Sequence, residues 1–271
     1  MRPESPIPAV VLALCLAAAP VFAAGNLEPD RVARWDDLTA IIFGDDAVVA
    51  PTESLVTLEA PARADDATLV PVRIVTAPEA DITGISLVVD ENPGPVAAQI
   101  RFGPAGDPRE LGLRVRVDGY TNVHAVATLA DGSLVGNAAF VKGSGGCSAP
   151  ISLSDAEAMA GMGEMRMKFA PGAPEGSGRA TLMVRHPNFN GMQMNQVSRL
   201  YTPARYVTEV EVTRGDELVL AMSSDISLAS NPVIDFLYRE GDARPFTVAV
   251  TDSAGEHWTQ DFAAPGSAVT N

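Results

Sequence analysis

Cysteine, histidine and positive charge are all scarce in this chain. Two cysteines among 271 residues leave no disulfide scaffold and no four-thiolate zinc or iron–sulfur site. The three histidines, His124, His186 and His257, show no ligand spacing, so each reads as structural rather than catalytic. Nineteen Lys and Arg against 34 Asp and Glu give a formal net charge of −15. That excludes a nucleic-acid binder, which needs a basic face to neutralise phosphates. No Gly-x-Ser-x-Gly elbow, phosphate loop or dinucleotide fingerprint occurs in a strand-to-helix context. The paired acids Asp36-Asp37, Asp45-Asp46 and Asp65-Asp66 sit beside turns or helix ends and read as solvated surface. Nothing supports an independent active site, and the chain is expected to be non-catalytic and to need no cofactor.

Apolar residues are plentiful at 46%, too many for a disordered chain and enough for two globular domains. Residues 1–24 open with Arg2, pass through the apolar run Val10 to Ala19, and end Val21-Phe22-Ala23-Ala24. This reads as a secretory signal peptide and places the mature protein in the periplasm. The run is far shorter than the ~20 residues of a spanning helix, and no later segment reaches that length, so no membrane insertion is expected. Removing the leader takes Cys15 with it. The mature chain then keeps one cysteine, Cys147, in an oxidising compartment.

A helix is expected over Asp30 to Phe43, where Val32, Trp35, Leu38 and Ile42 recur at spacings of three and four. From Ser54 the period falls to two. Ser54–Ala60, Thr68–Thr76, Ile82–Val89, Ala97–Phe102, Leu111–Val117, Asn122–Leu129 and Leu134–Lys142 read as short strands. Asn92-Pro93-Gly94-Pro95, Asp118-Gly119 and Asp131-Gly132 supply turns between them. After Lys142 to Pro150, which has no apolar period, strands resume at Glu164–Phe169, Arg179–Arg185, Ala204–Thr213, Asp216–Met222, Val233–Tyr238 and Thr247–Asp252. Regular short strands predict an all-β protein of two antiparallel β-sandwich domains, with the short N-terminal helix on the first. The expected divisions are a signal peptide over 1–24, a first sandwich over 25–141, a Gly-rich Cys-bearing arm and linker over 142–160, and a second sandwich over 161–271. Both sandwiches are acidic, so packing between them must rest on apolar faces or strand pairing.

Cys147 lies in Lys142-Gly143-Ser144-Gly145-Gly146-Cys147-Ser148-Ala149-Pro150. Gly143, Gly145 and Gly146 lack a Cβ and predict a short tether without fixed conformation. An accessible thiol at the tip can take up and release a covalent cargo. An odd cysteine in an oxidising compartment also admits a thiol-linked homodimer. A run of methionines, Met159, Met162, Met165 and Met167, with Met192 and Met194 near His186, has donors soft enough for copper(I), but such residues more often fill gaps in a core.

Val141-Lys142 followed by Gly145-Gly146-Cys147 resembles the C-terminal Gly-Gly-Cys-Gly-Gly arm of SoxY, the sulfur-carrier subunit of bacterial thiosulfate oxidation. Leu69-Val70-Pro71-Val72, Val89-Asp90-Glu91-Asn92-Pro93-Gly94-Pro95 and Ala127 with Asp131-Gly132 fall at SoxY-like landmarks. His186-Pro187, Asn190-Gly191-Met192 and Ile226-Ser227-Leu228-Ala229-Ser230-Asn231-Pro232 resemble segments of SoxZ. The order is that of the quinoprotein dehydrogenase-associated SoxYZ-like carriers. The resemblance implies two immunoglobulin-like sandwiches packed as a fused heterodimer, with Cys147 as the covalent attachment point for a sulfur intermediate. It implies as partners a c-type cytochrome enzyme that conjugates the substrate, a hydrolase that releases sulfate, and a dehydrogenase, with a quinoprotein dehydrogenase as a further candidate. The arm of SoxY is a free C-terminus, whereas here Ser148, Ala149 and Pro150 lead into another domain, so reach is reduced. Two alternatives accompany the carrier: an accessory module docking a quinoprotein dehydrogenase or its cytochrome, and a methionine-based copper carrier.

Overall fold

The computed structural model describes residues 28–265 apart from 46, 48, 53 and 242. The expected signal peptide and Cys15 lie outside the described residues. Helix α1 (Pro29–Phe43) carries a Pro in its first turn and ends at Gly44, whose φ of 108° is open to glycine. Eight strands follow: β1 (Val49–Pro51), β2 (Val56–Glu59), β3 (Val70–Thr76), β4 (Ile82–Val89), β5 (Val96–Phe102), β6 (Gly106–Val115), β7 (Thr121–Leu129) and β8 (Leu134–Val141). A five-residue helix, α2 (Asp155–Met159), is closed by a reciprocal cap between Ser154 and Glu157. The second half then adds β9 (Met165–Ala170), β10 (Ser177–Val184), β11 (Val207–Arg214), β12 (Glu217–Ser224), β13 (Val233–Arg239), β14 (Phe246–Asp252) and β15 (His257–Phe262).

The period-two alternation sends Val56, Leu58, Val70, Val72 and Ile74 inward on β2 and β3. The same alternation sends Val248 and Val250 inward on β14. Where the two halves meet, the strands do not stop. Nine strands form one sheet in the order β1-β8-β7-β4-β5-β12-β11-β14-β15, and six form the other, β2-β3-β6-β13-β10-β9. Each half supplies strands to both sheets. The seams are antiparallel ladders, Ala98–Phe102 of β5 against Leu220–Ser224 of β12, and Gly106–Gly112 of β6 against Asp235–Tyr238 of β13. Buried apolar residues of both halves belong to one contiguous core. Glu110 fastens the seam from outside by accepting from Arg73 at 2.9 Å and Arg179 at 2.8 Å. Two acidic halves thus adhere through backbone ladders and apolar burial, which like charge does not oppose strongly at a shared core.

Helix α1 lies on the nine-stranded sheet. Trp35 stacks on His124 with centroids 3.6 Å apart and planes 1° from parallel, while Arg34 donates to the Asp90 carbonyl. His124 Nε2 also meets Asp90 Oδ2 at 3.1 Å. Met165 is buried in the core and Met167 packs against it, so these two methionines act as filling side chains. Among the described residues no helix is long and apolar enough to cross a membrane, and no group of three or more His, Cys, Asp or Glu could hold a metal.

Candidate functional site around Cys147

Cys147 is fully buried, at 0% exposure. The expectation of an accessible thiol on a loose tether is therefore corrected: the arm is stowed against both halves. In the stowed arm Gly143 and Gly146 permit close approach, and Gly145 permits a left-handed turn. Gly143 is buried, and a Cβ on it would come within 2.9 Å of Val117 Cγ1. Gly145 takes φ 73°, a left-handed conformation that glycine adopts without strain. Gly146 lies so near the chain that a Cβ would collide with the Ala67 carbonyl and come within 2.6 Å of the Val117 oxygen.

Hydrogen bonds hold the arm along its length. Lys142 pairs with the backbone of Ala62 and Ala64 at 3.0 Å each. The N–H groups of Gly145 and Gly146 donate to the carbonyls of Asp118 at 2.9 Å and Val117 at 3.0 Å. Cys147 N donates to Asp118 Oδ1 at 3.1 Å. From the second half, Asn190 Nδ2 donates to the Cys147 carbonyl at 2.7 Å, and Gln193 Nε2 reaches the Ala149 carbonyl at 3.4 Å. Ile151 then bonds the Met194 carbonyl at 3.0 Å. While this arrangement holds, the thiol cannot form an intermolecular disulfide.

Burial pushes the Cys147 thiol up from its ordinary 9.0 to about 11, with the Asp118 carboxylate adding to the rise and Arg116 opposing it. A neutral buried thiol is a poor nucleophile. In the stowed arm Cys147 is therefore held as a neutral, inaccessible thiol.

Arg116, which no sequence motif singles out, immediately precedes the Val117–Asp118 dock of the arm. Alternation along Leu111, Leu113, Val115 and Val117 assigns it to the outer face with the exposed Arg114, yet it is fully buried. The reason is local: beyond β6 the chain runs under the loop 226–230, where Arg116 N donates to the Ser227 carbonyl at 2.8 Å and Val115 bridges Leu228. Asn92 fixes the same corner, donating to the Arg116 carbonyl and to Ser227 Oγ at 2.8 Å each and accepting from Asp118 N at 2.9 Å. The turn signals Asn92-Pro93 and Asp118-Gly119 marked this corner in sequence without revealing that it carries the arm.

On the far side, His186 is buried, accepts at Nδ1 from Asn188 N at 3.1 Å, and directs Nε2 toward Asp252 Oδ2 at 3.4 Å. Asn188 and Asn231 adopt left-handed φ angles of 45° and 48°, which asparagine tolerates. Burial holds the His186 imidazole below its ordinary 6.5 despite Asp252. Because the folded pKa is depressed, its contribution to stability is complete above about 6.5 and is lost as pH falls from there through the lower folded value. Thermal melts from pH 7.5 to 5 are expected to fall for the native chain and to flatten for His186→Gln. An equally steep fall in both would refute the assignment. A separate open groove of about 570 Å³, lined by Leu69, Arg114, Glu164, Arg166 and Arg185 among others, lies at the seam and does not include Cys147.

Comparison with known proteins places these features in a family. Residues 40–147 match the family of sulfur oxidation protein SoxY, and residues 167–263 match that of sulphur oxidation protein SoxZ. No curated protein matches the chain. Among solved structures, the sulfur carrier protein SoxY from Chlorobium limicola f thiosulfatophilum is 26% identical and overlays 42% of this chain and 94% of its own, with a TM-score of 0.36. A superoxide reductase (neelaredoxin) from Ignicoccus hospitalis is 15% identical over 33% of this chain and 79% of its own, with a TM-score of 0.30. Both overlays cover a minority of the chain, and the family assignment rests on the two sequence matches.

Proposed function

This chain belongs to the fused SoxYZ-like family, a SoxY segment followed by a SoxZ segment, and we propose that it carries a sulfur intermediate covalently on Cys147 and presents it to partner enzymes in the periplasm. The observation that carries this reading is the SoxY match, whose last residue is Cys147, followed in the same chain by the SoxZ match. The carrier itself does no redox chemistry. With thiosulfate as cargo, the Cys147 thiolate and thiosulfate join through a new S–S bond as Cys–S–S–SO3−, and two electrons pass to a c-type cytochrome partner. A hydrolase partner then adds water, releasing sulfate and two protons and leaving Cys–S–S− on the arm. A dehydrogenase oxidises that remaining sulfur. The fused order also favours a quinoprotein dehydrogenase among the partners.

The stowed arm supports this role, because a labile adduct needs shelter between visits. Gly143, Gly145 and Gly146 allow the backbone to leave the Val117–Asp118 corner through rotations that other residues resist. Incubation with thiosulfate and a conjugating cytochrome is expected to give a mass adduct on the native chain and none on Cys147→Ser. Serine is nearly isosteric, so the variant should fold. Wild-type turnover of thiosulfate by Cys147→Ser would end the carrier reading. Burial of the thiol favours one second reading, an acidic docking module in which Cys147 is incidental. Salt-sensitive association with a dehydrogenase, unchanged in Cys147→Ser, would support it.

A further inference from the structure

Arg116 is a buried cation that the carrier reading leaves without a role. Its Nη1 donates to the carbonyls of Ile226 at 3.0 Å and Leu228 at 2.8 Å, and its Nη2 to the Asn188 carbonyl at 2.8 Å and Ser230 Oγ at 2.9 Å. These partners orient the guanidinium but are all neutral. Its Nε has no hydrogen-bond partner among the described residues, and no described carboxylate forms an ion pair with it. Burying a charge without a counter-charge is unfavourable by several kcal/mol. Burial lowers Arg116 to about 10, which still leaves it cationic at neutral pH, and a negative charge on Cys147 would oppose that lowering.

The segments that bond the guanidinium adjoin those that dock the arm. Val117 and Asp118, the next two residues, hold Gly146, Gly145 and Cys147. The 188–190 segment accepts from Arg116 through the Asn188 carbonyl and holds the Cys147 carbonyl through Asn190. Two strips of backbone, one from each half, therefore grip both the guanidinium and the cysteine. The charges near the thiol are those of Arg116 and Asp118, and the other groups that bond the Cys147 segment are the neutral Asn190 side chain and backbone carbonyls. Asp118 is an acceptor for the arm's own N–H, so the remaining complement for an anion is Arg116.

Resting on the carrier reading, we propose that Arg116 is the counter-charge for an anionic sulfur adduct on Cys147, sulfonate-ended or persulfide, and selects anionic over neutral cargo in the stowed arm. The test uses two adducts of the full chain that differ in charge. Attack of the Cys147 thiolate on an inner sulfur of tetrathionate forms Cys–S–S–SO3− and releases thiosulfate. Attack on methyl methanethiosulfonate forms neutral Cys–S–S–CH3 and releases methanesulfinate. In the native chain the anionic adduct is expected to melt about 3 °C above the neutral one. The gap should persist in Arg116→Lys, which keeps the charge, and vanish or reverse in Arg116→Gln, which keeps donors but not charge. An anionic adduct that melts no higher than the neutral one in the native chain overturns the proposal without any variant, as does an equal gap in all three proteins. Failure of both reagents to reach Cys147 would instead count against the carrier reading, and the proposal would fall with it.

Discussion

Gly146→Ala is expected to expel the arm and raise the rate of Cys147 alkylation at pH 7 by about a hundredfold. A methyl at this position would overlap the Ala67 carbonyl and sit 2.6 Å from the Val117 oxygen, both backbone atoms that cannot swing aside. The arm would leave and take the thiol into water. Its pKa would then return from about 11 toward 9.0, and two pKa units correspond to about a hundredfold more thiolate at pH 7. Iodoacetamide kinetics across pH would show both the faster rate and the lower inflection. The same linkage gives the native chain a pH response of its own. The thiol's folded pKa is raised, so the stability of the stowed state is complete below about 9 and is lost as pH rises through about 11, in total about 3 kcal/mol. An unchanged alkylation rate in Gly146→Ala would mean that Gly146 does not hold the thiol in place.

Gly106→Ala is expected to weaken both halves together, by about 3 kcal/mol. Gly106 opens β6 opposite Tyr238 of β13, and a Cβ there would strike the Val219 carbonyl of β12. It therefore stands where the first half meets strands from both sheets of the second. Neighbouring bonds are at stake as well, from Ala105 N to the Leu218 carbonyl at 3.0 Å and from Gly103 N to the Val219 carbonyl at 3.1 Å. Overpacking of about 1–3 kcal/mol with loss of a hydrogen bond worth about 1 kcal/mol accounts for the figure. The two tryptophans allow a direct check, since Trp35 lies in the first half and Trp258 in the second. Single Trp→Phe variants should report coincident unfolding in urea, in the native background and in Gly106→Ala alike. Two separated transitions would show halves that unfold independently.

The strands were readable because alternation is a local property. Ile82–Val89 is found at its expected bounds, and the helix expected from Asp30 begins one residue earlier, at Pro29. Elements lacking that signal were missed. β1 has three residues, β15 exposes most of its side chains, and α2 is a single capped turn. Arg116 escapes the pattern for a related reason, since alternation describes a strand facing solvent on one side, and beyond Val115 the chain is covered on both.

By itself, the sequence determined the strand content, the acidity, the family and the singling out of Cys147, because those are properties of residue type and spacing. Tertiary structure alone decided that the halves share both sheets, that Gly143 and Gly146 stand in close contact with distant backbone and side chains, and that Cys147 and Arg116 are both buried. Each of these depends on which distant backbone atoms come within a few ångströms. For Gly146 those atoms belong to Ala67 and Val117, and no local pattern in 142–150 specifies them.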